Sequence, residues 1–331
     1  MKKLTKGSHI RVLSPSSSIE RLGGFEANLL AKEVLEKLGF QVSFSKHYLE
    51  KLGFQVSFSK HYLENDILYS ASIASRVEDL HEAFADPSVD AILATIGGFN
   101  SNELLPYLDY DLISKNPKII CGYSDSTAFL NAIFAKAKIQ TYMGPAYSSF
   151  KMKEGQPYQT QAWLTAMTEN HYELWPSEEW SSDPWYDPSK PRQFFPTEWK
   201  IYNHGKASGT IIGGNLSTFG LLRGTPYAPK IERYVLLIEE AEESNFYEFD
   251  RNLAAILQAY PHPQAILMGR FPKECGMTPQ VFEYILSKHA IFKEIPVIYD
   301  MDFAHTQPLL TVTIGAELSV DTTTLSLSIK E

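Results

Sequence analysis

Short apolar runs alternate with segments of helical hydrophobic spacing along the first half of the chain. The apolar runs predict strands at His9–Ser14, Gln41–Phe44, Asp90–Ile96 and Lys118–Cys121. Apolar residues three or four positions apart predict helices at Glu26–Leu38, Ile73–Ala85 and Thr127–Lys138. This alternation is typical of a Rossmann-like α/β domain, in which helices cover a parallel sheet. Ligands of such sheets bind beyond the carboxyl ends of the strands.

The second half of the chain contains more predicted strands than helices. Its predicted strands are Gly209–Ile212, Tyr234–Glu239, Ala265–Met268, Pro296–Tyr299 and Leu309–Ile314. Its predicted helices are Asp250–Leu257 and Pro279–Ile291. We therefore expect a second, smaller α/β domain that is rich in strands.

A segment rich in tryptophan and proline separates the two halves. Four of the five tryptophans and five prolines lie between Trp175 and Trp199. Because proline resists regular structure, this composition predicts a long linker or flap. An ordinary loop with its aromatic side chains packed on the body is an equal alternative. The predicted organisation is an N-terminal domain over 1–168, a linker or flap over 169–206 and a C-terminal domain over 207–331.

One stretch of the chain is duplicated. Residues 37–50 read KLGFQVSFSKHYLE, and residues 51–64 repeat them letter for letter. Two copies are too few for a solenoid, which needs at least three units. The first copy completes a predicted helix and supplies a strand, so the second copy is interpreted as an insertion, either a surface excursion or an extra edge strand. Removing one 14-residue copy from 331 leaves 317 residues, which we expect to retain activity.

Charge and cysteine content narrow the class of protein. Lysine and arginine total 30 against 39 acidic residues, a net charge of −9. Such a negative surface repels phosphate backbones, so we expect no nucleic-acid partner. The two cysteines form no disulfide framework and suit a reducing compartment. No secretory apolar region and no apolar stretch of about 18 residues occurs, so we expect a cytoplasmic protein that does not associate with membranes.

A serine follows one of the predicted strands in a position suited to a nucleophile. The phrase IICGYSDST places Ser124 in a tight turn between a strand and a helix. There its Oγ would stand clear of the sheet, and the first amides of the helix would hold an oxyanion. Position 126 is serine where the common G-x-S-x-G motif has glycine. On this phrase alone, a serine that caps the helix is at least as good an interpretation.

A glutamate and a histidine follow two other apolar strands. Glu239 lies at the end of the buried run YVLLIE, and His305 lies in the loop after Pro296–Tyr299. Neighbouring acids such as Glu240 are interpreted as solvent-exposed. Most single histidines are structural or surface residues, so His305 is a candidate only in combination with a serine and an acid. Spatial geometry decides such a set, not distance along the sequence.

Two glycine pairs follow strands and permit close approach to the backbone. TIGGFNSN contains Gly97 and Gly98, and IIGGNLST carries a similar pair further along the chain. Their amides could bind an oxyanion or a carboxylate, although a plain turn would look the same. The sequence contains no dinucleotide fingerprint, no phosphate-binding P-loop and no zinc-ligand spacing. We therefore expect neither a cofactor nor a metal.

Taken together, these phrases resemble the serine peptidase family of LD-carboxypeptidases and microcin C immunity peptidases. Their order carries the resemblance over nearly the whole chain: SPSS, TIGGFNSN with LLPYLDYD, GYSDST, IIGGNLST, LLIEEAEE and the late histidine loop. The resemblance implies a metal-free triad with Ser124 as nucleophile, His305 as base and Glu239 as the acid that orients it. The family usually has glycine before the histidine, where this chain has Ala304.

The resemblance also implies an oxyanion site and substrate contacts. The backbone amides of Gly97, Gly98 and Asp125 are the expected oxyanion donors. Asn100 and Asn215, which follow the two glycine pairs, are expected to contact the substrate. The family further implies a homodimer.

TIGGFNSN looks like the microcin-immunity branch, which cleaves a peptidyl- or aminoacyl-nucleotide. In that branch an aromatic residue of a long loop stacks on the base, and Trp180 and Trp185 are the candidates here. Stacking of an indole on a base contributes about 1–3 kcal/mol. The leading hypothesis is therefore a serine hydrolase acting on such a small molecule. The alternatives are an LD-carboxypeptidase that trims a murein tetrapeptide and a catalytically inactive binding protein.

Overall fold

The computed structural model describes residues 1–5, 7–38, 41–43, 59–186 and 190–331. This chain divides into two units, Met1–Lys153 and Glu154–Glu331. The residues after 153 that we assigned to the first domain therefore lie with the second unit. The second unit also takes in the Trp/Pro-rich segment, which the predicted C-terminal domain over 207–331 leaves out. Most of the duplicated insertion, residues 51–58, lies outside the described residues.

The first unit is built on a parallel sheet. Its strands are β1 (His9–Leu13), β2 (Gln41–Ser43), β3 (Ala91–Ala94), β4 (Ile119–Gly122) and β5 (Thr141–Met143), and they lie side by side in the order β5-β4-β3-β1-β2. Each neighbouring pair in that order is parallel. Its helices are α1 (Leu29–Lys37), α2 (Ile73–Ala85), α3 (Tyr110–Lys115) and α4 (Thr127–Ala137), with short 3-10 turns at Ile19–Leu22, Glu26–Asn28, Ser101–Leu104, Ser124–Ser126 and Tyr147–Lys151. The predicted Rossmann-like α/β class is confirmed.

Local chemistry accounts for where these helices begin. Helix α2 spans the predicted residues because the Ser72 hydroxyl accepts a hydrogen bond from the Ser75 amide and caps the first turn. The predicted helix Glu26–Leu38 is instead a 3-10 turn followed by α1. The break falls at Asn28, whose buried side chain donates to the carbonyls of Leu22 and Gly24 and holds a bend in the chain.

The end of the second repeat copy packs against the first unit's sheet. Tyr62 is buried, and its carbonyl accepts hydrogen bonds from the hydroxyls of Ser14 and Ser18 just after β1. Strand β2, in contrast, comes from the first copy and pairs with β1. The described structure therefore uses the beginning of one copy and the end of the other.

The second unit contains an eight-stranded mixed sheet. The strands of this unit, eight of which form the sheet, are β6 (His171–Glu173), β7 (Glu179–Trp180), β8 (Phe195–Pro196), β9 (Lys200–Asn203), β10 (Lys206–Asn215), β11 (Tyr234–Glu239), β12 (Ala265–Gly269), β13 (Val297–Met301), β14 (Val312–Ile314), β15 (Glu317–Asp321) and β16 (Ser326–Lys330). The sheet order is β6-β16-β15-β10-β11-β12-β13-β9. The central strands β10 to β13 are parallel, so their carboxyl ends meet at one edge.

The helices of the second unit are α5 (Gln156–Thr168), α6 (Leu216–Gly220), α7 (Phe246–Ala259) and α8 (Pro279–Ser287), with 3-10 turns at Lys273–Cys275 and Ala290–Lys293. Helix α7 starts four residues before the predicted Asp250 because Asn245 and Glu248 form a capping box. Helix α8 ends before the predicted Ile291. No helix in the described ranges is both long enough and apolar enough to cross a membrane.

The Trp/Pro-rich segment, Trp175–Trp199, contains regular structure and is attached to the second unit. Strands β7 and β8 pair antiparallel within it. The backbone of Ser181 forms two hydrogen bonds of 2.9 Å with Gln307. At its end, the indole N–H of Trp199 donates to buried Asp302 at 2.8 Å. The segment is therefore fixed near both ends, and its residues 187–189 are outside the described residues.

Candidate active site

Ser124 lies on a strained turn between a strand and a helix in the first unit. Strand β4 ends at Gly122, a 3-10 turn begins at Ser124, and α4 follows at Thr127. The φ angle of Ser124 is 61°, a left-handed conformation that costs a residue with a Cβ about 1–2 kcal/mol. A sharp, strained turn of this kind presents a nucleophile at the top of a sheet.

Gly97, the first residue of the first glycine pair, lies directly against this serine. A Cβ on Gly97 would stand 2.9 Å from the Ser124 Cβ and 3.1 Å from its Oγ, closer than a side chain tolerates. The backbone amide nitrogen of Asp125 is 3.7 Å from the same point. Gly97 and the Asp125 amide therefore lie beside the serine, whereas a Cβ on Gly98 would meet the Ser16 and Ser17 hydroxyls at 2.7 Å.

The side chain of Asp125 holds this arrangement together. Its buried carboxylate accepts hydrogen bonds from the amides of Asn100 and Ser101, at 3.2 and 2.9 Å, and from the Ser16 hydroxyl. Burial raises the pKa of Asp125, although these donors oppose the effect. The sequence predicts a role only for the Asp125 amide, not for its side chain. Its position just after a candidate nucleophile was the available signal for a structural carboxylate.

Asn100 is held in place by a buried arginine that the sequence analysis missed. Arg76 of α2 is buried and donates to the Asn100 carbonyl and to its side-chain oxygen, at 3.2 and 3.0 Å. It also pairs with Glu103 at 2.8 Å. The side-chain oxygen of Asn100 also accepts a hydrogen bond from the Ser70 hydroxyl at 3.1 Å. A charged residue on the apolar face of an amphipathic helix was the signal that could have revealed Arg76.

Glu239 and His305 form a buried pair in the second unit. His305 Nδ1 lies 2.7 Å from Glu239 Oε2, and the carboxyl side chain is fully buried. Burial lowers the pKa of His305, but the charge and hydrogen bond of Glu239 outweigh it and raise the pKa to about 9. This contact fixes the ring's orientation and stabilises its protonated form.

Two neighbouring strands shape the surroundings of this pair. Asn215 ends β10 directly beside Glu239 on β11, and its side-chain oxygen caps α6 by accepting from the Thr218 amide at 3.1 Å. Gly269 ends β12, where a Cβ would lie 2.8 Å from the Cβ atoms of both Glu239 and Ala304. Only a glycine lets the strand, the acid and the histidine loop approach so closely.

A second acid lies at the same strand end, where the sequence analysis expected an exposed one. Glu240 is 1% exposed, so this expectation was wrong. Burial raises the pKa of Glu240 to about 8, and the adjacent Glu239 adds to the effect. Glu240 therefore holds a proton at neutral pH, which spares the strand end a second negative charge.

The two candidate stacking tryptophans have different surroundings. The Trp180 ring has the Arg270 guanidinium carbon 4.6 Å from its centre and the Phe195 ring 5.3 Å away. Trp185 makes an edge contact with Tyr186 at 5.9 Å between ring centres. Both indoles are half-buried and have an aromatic neighbour, and Trp180 also has the Arg270 cation beside its ring.

The predicted site residues thus fall into two groups. Ser124, Gly97, Gly98, Asp125 and Asn100 come together in the first unit; the second unit brings together Glu239, His305 and Asn215, and carries Trp180 and Trp185. Among the residues that the structure describes, no group of three or more histidine, cysteine or acidic residues could hold a metal ion.

Comparison with known proteins gives consistent matches. The LD-carboxypeptidase N-terminal domain matches residues 10–144, and the LD-carboxypeptidase C-terminal domain matches residues 208–320. The chain is 42% identical to the "Putative carboxypeptidase YocD" of Bacillus subtilis (strain 168), over 96% of this chain and 95% of the relative.

Two solved structures are similar over almost their full length. The MccF-like protein from Bacillus anthracis str. Ames has a TM-score of 0.91 and 41% identity, covering 99% of this chain and 98% of that one. The microcin C7 self-immunity protein MccF, in complex with aspartyl sulfamoyl adenosine, has a TM-score of 0.86 and 28% identity, covering 99% and 97%.

Proposed function

The chain belongs to the LD-carboxypeptidase family and is a serine-type carboxypeptidase or hydrolase, and from this premise we propose its triad and substrate. The proposed triad is Ser124, His305 and Glu239. The proposed reaction is hydrolysis of an amide bond in a peptidyl- or aminoacyl-nucleotide. The observation that carries the proposal is the 2.7 Å contact between His305 Nδ1 and Glu239, which leaves proton transfer to Nε2.

In this mechanism Ser124 Oγ attacks the carbonyl carbon, and His305 Nε2 takes the hydroxyl proton. The carbonyl oxygen becomes an oxyanion that the amides of Gly97, Gly98 and Asp125 would stabilise. The C–N bond breaks as His305 returns the proton to the leaving nitrogen, and an acyl-enzyme forms on Ser124. Water, deprotonated by His305, then releases the acid and regenerates the serine.

Two considerations support a nucleotide substrate. The structure of the similar MccF has been solved in complex with aspartyl sulfamoyl adenosine, an aminoacyl-nucleotide analogue. The Trp/Pro-rich segment supplies the two candidates Trp180 and Trp185, whose indoles are suited to stacking on a base. Trimming of a murein tetrapeptide is the second candidate, because both domain models carry the LD-carboxypeptidase description.

A substrate panel with one active-site variant tests the proposal. We expect the wild type to release aspartate from aspartyl sulfamoyl adenosine and Ser124→Ala to lose at least about 10³-fold in kcat. Ser126→Ala is the matched control, since it removes a hydroxyl from the same turn. A Trp185→Leu variant should raise KM for this compound. Release of a D-residue from an LD-linked tetrapeptide, with no cleavage of the nucleotide, would decide for the second candidate.

A further inference from the structure

Asp302 connects the histidine loop to the Trp/Pro-rich segment. Its side chain is completely buried, three residues before His305. One carboxylate oxygen accepts from the Ser177 amide at 3.0 Å and from the Trp199 indole at 2.8 Å. The other accepts from the Ser177 hydroxyl at 3.0 Å. Both ends of the segment are therefore bound to one carboxylate.

Arg270 completes the connection. It follows β12 and is buried, and its guanidinium donates to Asp302 at 2.9 Å and to the Thr306 hydroxyl at 3.4 Å. The same guanidinium lies 4.6 Å from the centre of the Trp180 ring. One planar group thus contacts the segment through Trp180 and the loop on either side of His305.

A third connection lies just beyond the histidine. The backbone of Ser181, next to Trp180, exchanges two hydrogen bonds with Gln307. Arg192, further along the segment, donates to the Gln307 side chain at 3.2 Å. His305 is therefore bracketed by residues tied to the segment, so movement of the segment cannot leave the loop unaffected.

We propose that Asp302 and Arg270 are positioning residues that hold the His305 loop against the Trp/Pro-rich segment. Through them, substrate binding at the segment fixes the orientation of the histidine. This inference rests on the proposed function, in which His305 is the base and the segment contacts the nucleoside. Binding energy from a remote part of the substrate then orients the reacting groups and raises kcat, instead of only lowering KM.

The test compares a complete substrate with a truncated one. Aspartyl sulfamoyl adenosine carries the nucleoside, and aspartyl methylsulfamate keeps the same scissile bond without it. We expect the wild type to have at least a 10-fold higher kcat on the complete substrate. In Asp302→Asn and Arg270→Lys this kcat ratio should fall below about 3, mainly through loss of kcat on the complete substrate.

Matched controls break exposed contacts in the same unit. Asp321→Asn removes an ion pair with Lys206, and Arg251→Lys alters one with Glu248, so neither should change the ratio. If Asp302→Asn does not fold, Arg270→Lys and Thr306→Val test the same connection. An unchanged ratio in folded variants, or an equal loss on both substrates, would overturn the inference. Failure of the proposed function looks different, because the wild type would then cleave neither compound.

Discussion

The left-handed backbone of Ser124 places a stability cost at the proposed nucleophile. Glycine adopts this conformation without a Cβ clash, whereas alanine keeps the strain. We expect the free energy of unfolding of Ser124→Gly to be about 1 kcal/mol higher than that of Ser124→Ala. Both variants should be inactive, so only stability separates them. Denaturant unfolding of the two proteins measures the difference, and equal stabilities would count against strain at this turn.

The contact between Glu239 and His305 should appear in the pH dependence of the reaction. Below its pKa, raised to about 9, His305 is protonated and cannot accept the serine proton, so kcat/KM should rise toward alkaline pH. In Glu239→Gln the negative charge that raises the pKa of His305 is lost, while burial still lowers that pKa. The acidic limb should then move to lower pH by about 1–3 units. Its plateau should drop at least about 100-fold.

Rates measured between pH 5 and 10 on one substrate check this expectation. Glu294→Gln, which changes an exposed acid of the same unit that does not contribute to the raised pKa of His305, controls for the loss of a general negative charge. An acidic limb at the same pH in the wild type and in Glu239→Gln would show that another group titrates.

At the level of single residues, the sequence indicated candidates at or just after the ends of apolar strands and missed the residues that hold these candidates in place. Ser124 and Glu239 are candidates because each lies at or just after the end of a buried run. Arg76 and Asp302 could not, because their partners lie far away in the sequence and only folding brings them together. Glu240 was misjudged because burial after a strand end depends on what packs over it.

Among the secondary-structure elements, the end of β12 is closely packed against Glu239 and the histidine loop. A methyl group on Gly269 would press on the Cβ atoms of Glu239 and Ala304 at 2.8 Å. Gly269→Ala should therefore displace the acid or the histidine loop, lowering kcat by about 10-fold or more and stability by about 1–3 kcal/mol. Steady-state kinetics and thermal unfolding measure both effects.

Gly220→Ala is the control for this substitution, since the atom nearest to its added Cβ is an Arg223 side-chain nitrogen at 3.7 Å. Wild-type kinetics in Gly269→Ala would mean that the strand end can move aside without consequence.

The elements themselves were largely predictable, and their ends were less so. Helix α2 was predicted at its observed bounds because periodicity and the Ser72 cap agree. The start of α7 was missed although the Asn245–Glu248 box was visible in the sequence. The Trp/Pro-rich segment was interpreted as a linker or flap because its composition indicates little helix. Composition does not show the contacts of both of its ends with the distant Asp302.

For the molecule as a whole, the alternation of strands and helices was sufficient to predict the α/β class. The domain limits at 168 and 207 remain predictions. The structure itself divides into two units after residue 153. Pattern alone could not assign α5, because a helix of this length packs equally well on either sheet until tertiary contacts decide.

Deletion of the 14 duplicated residues is expected to leave activity unchanged. Because the copies are identical, removing residues 51–64 gives the same chain as removing residues 45–58. The second description keeps β2 and buried Tyr62, together with every other described residue. We expect kcat/KM of the 317-residue chain within about 3-fold of the full chain. Loss of activity in a folded deletion protein would show that the extra residues contribute.

The shared use of the two copies also has a genetic consequence. Strand β2 lies in the first copy and Tyr62 in the second. Joining the two copies at equivalent positions gives the same 317-residue sequence wherever the junction falls. Any in-register recombination between the two coding repeats would therefore yield one single shorter protein. Such an event would keep the reading frame and every candidate catalytic residue, because all of them lie after the repeat. Cells that express the long or the short protein could then be compared directly.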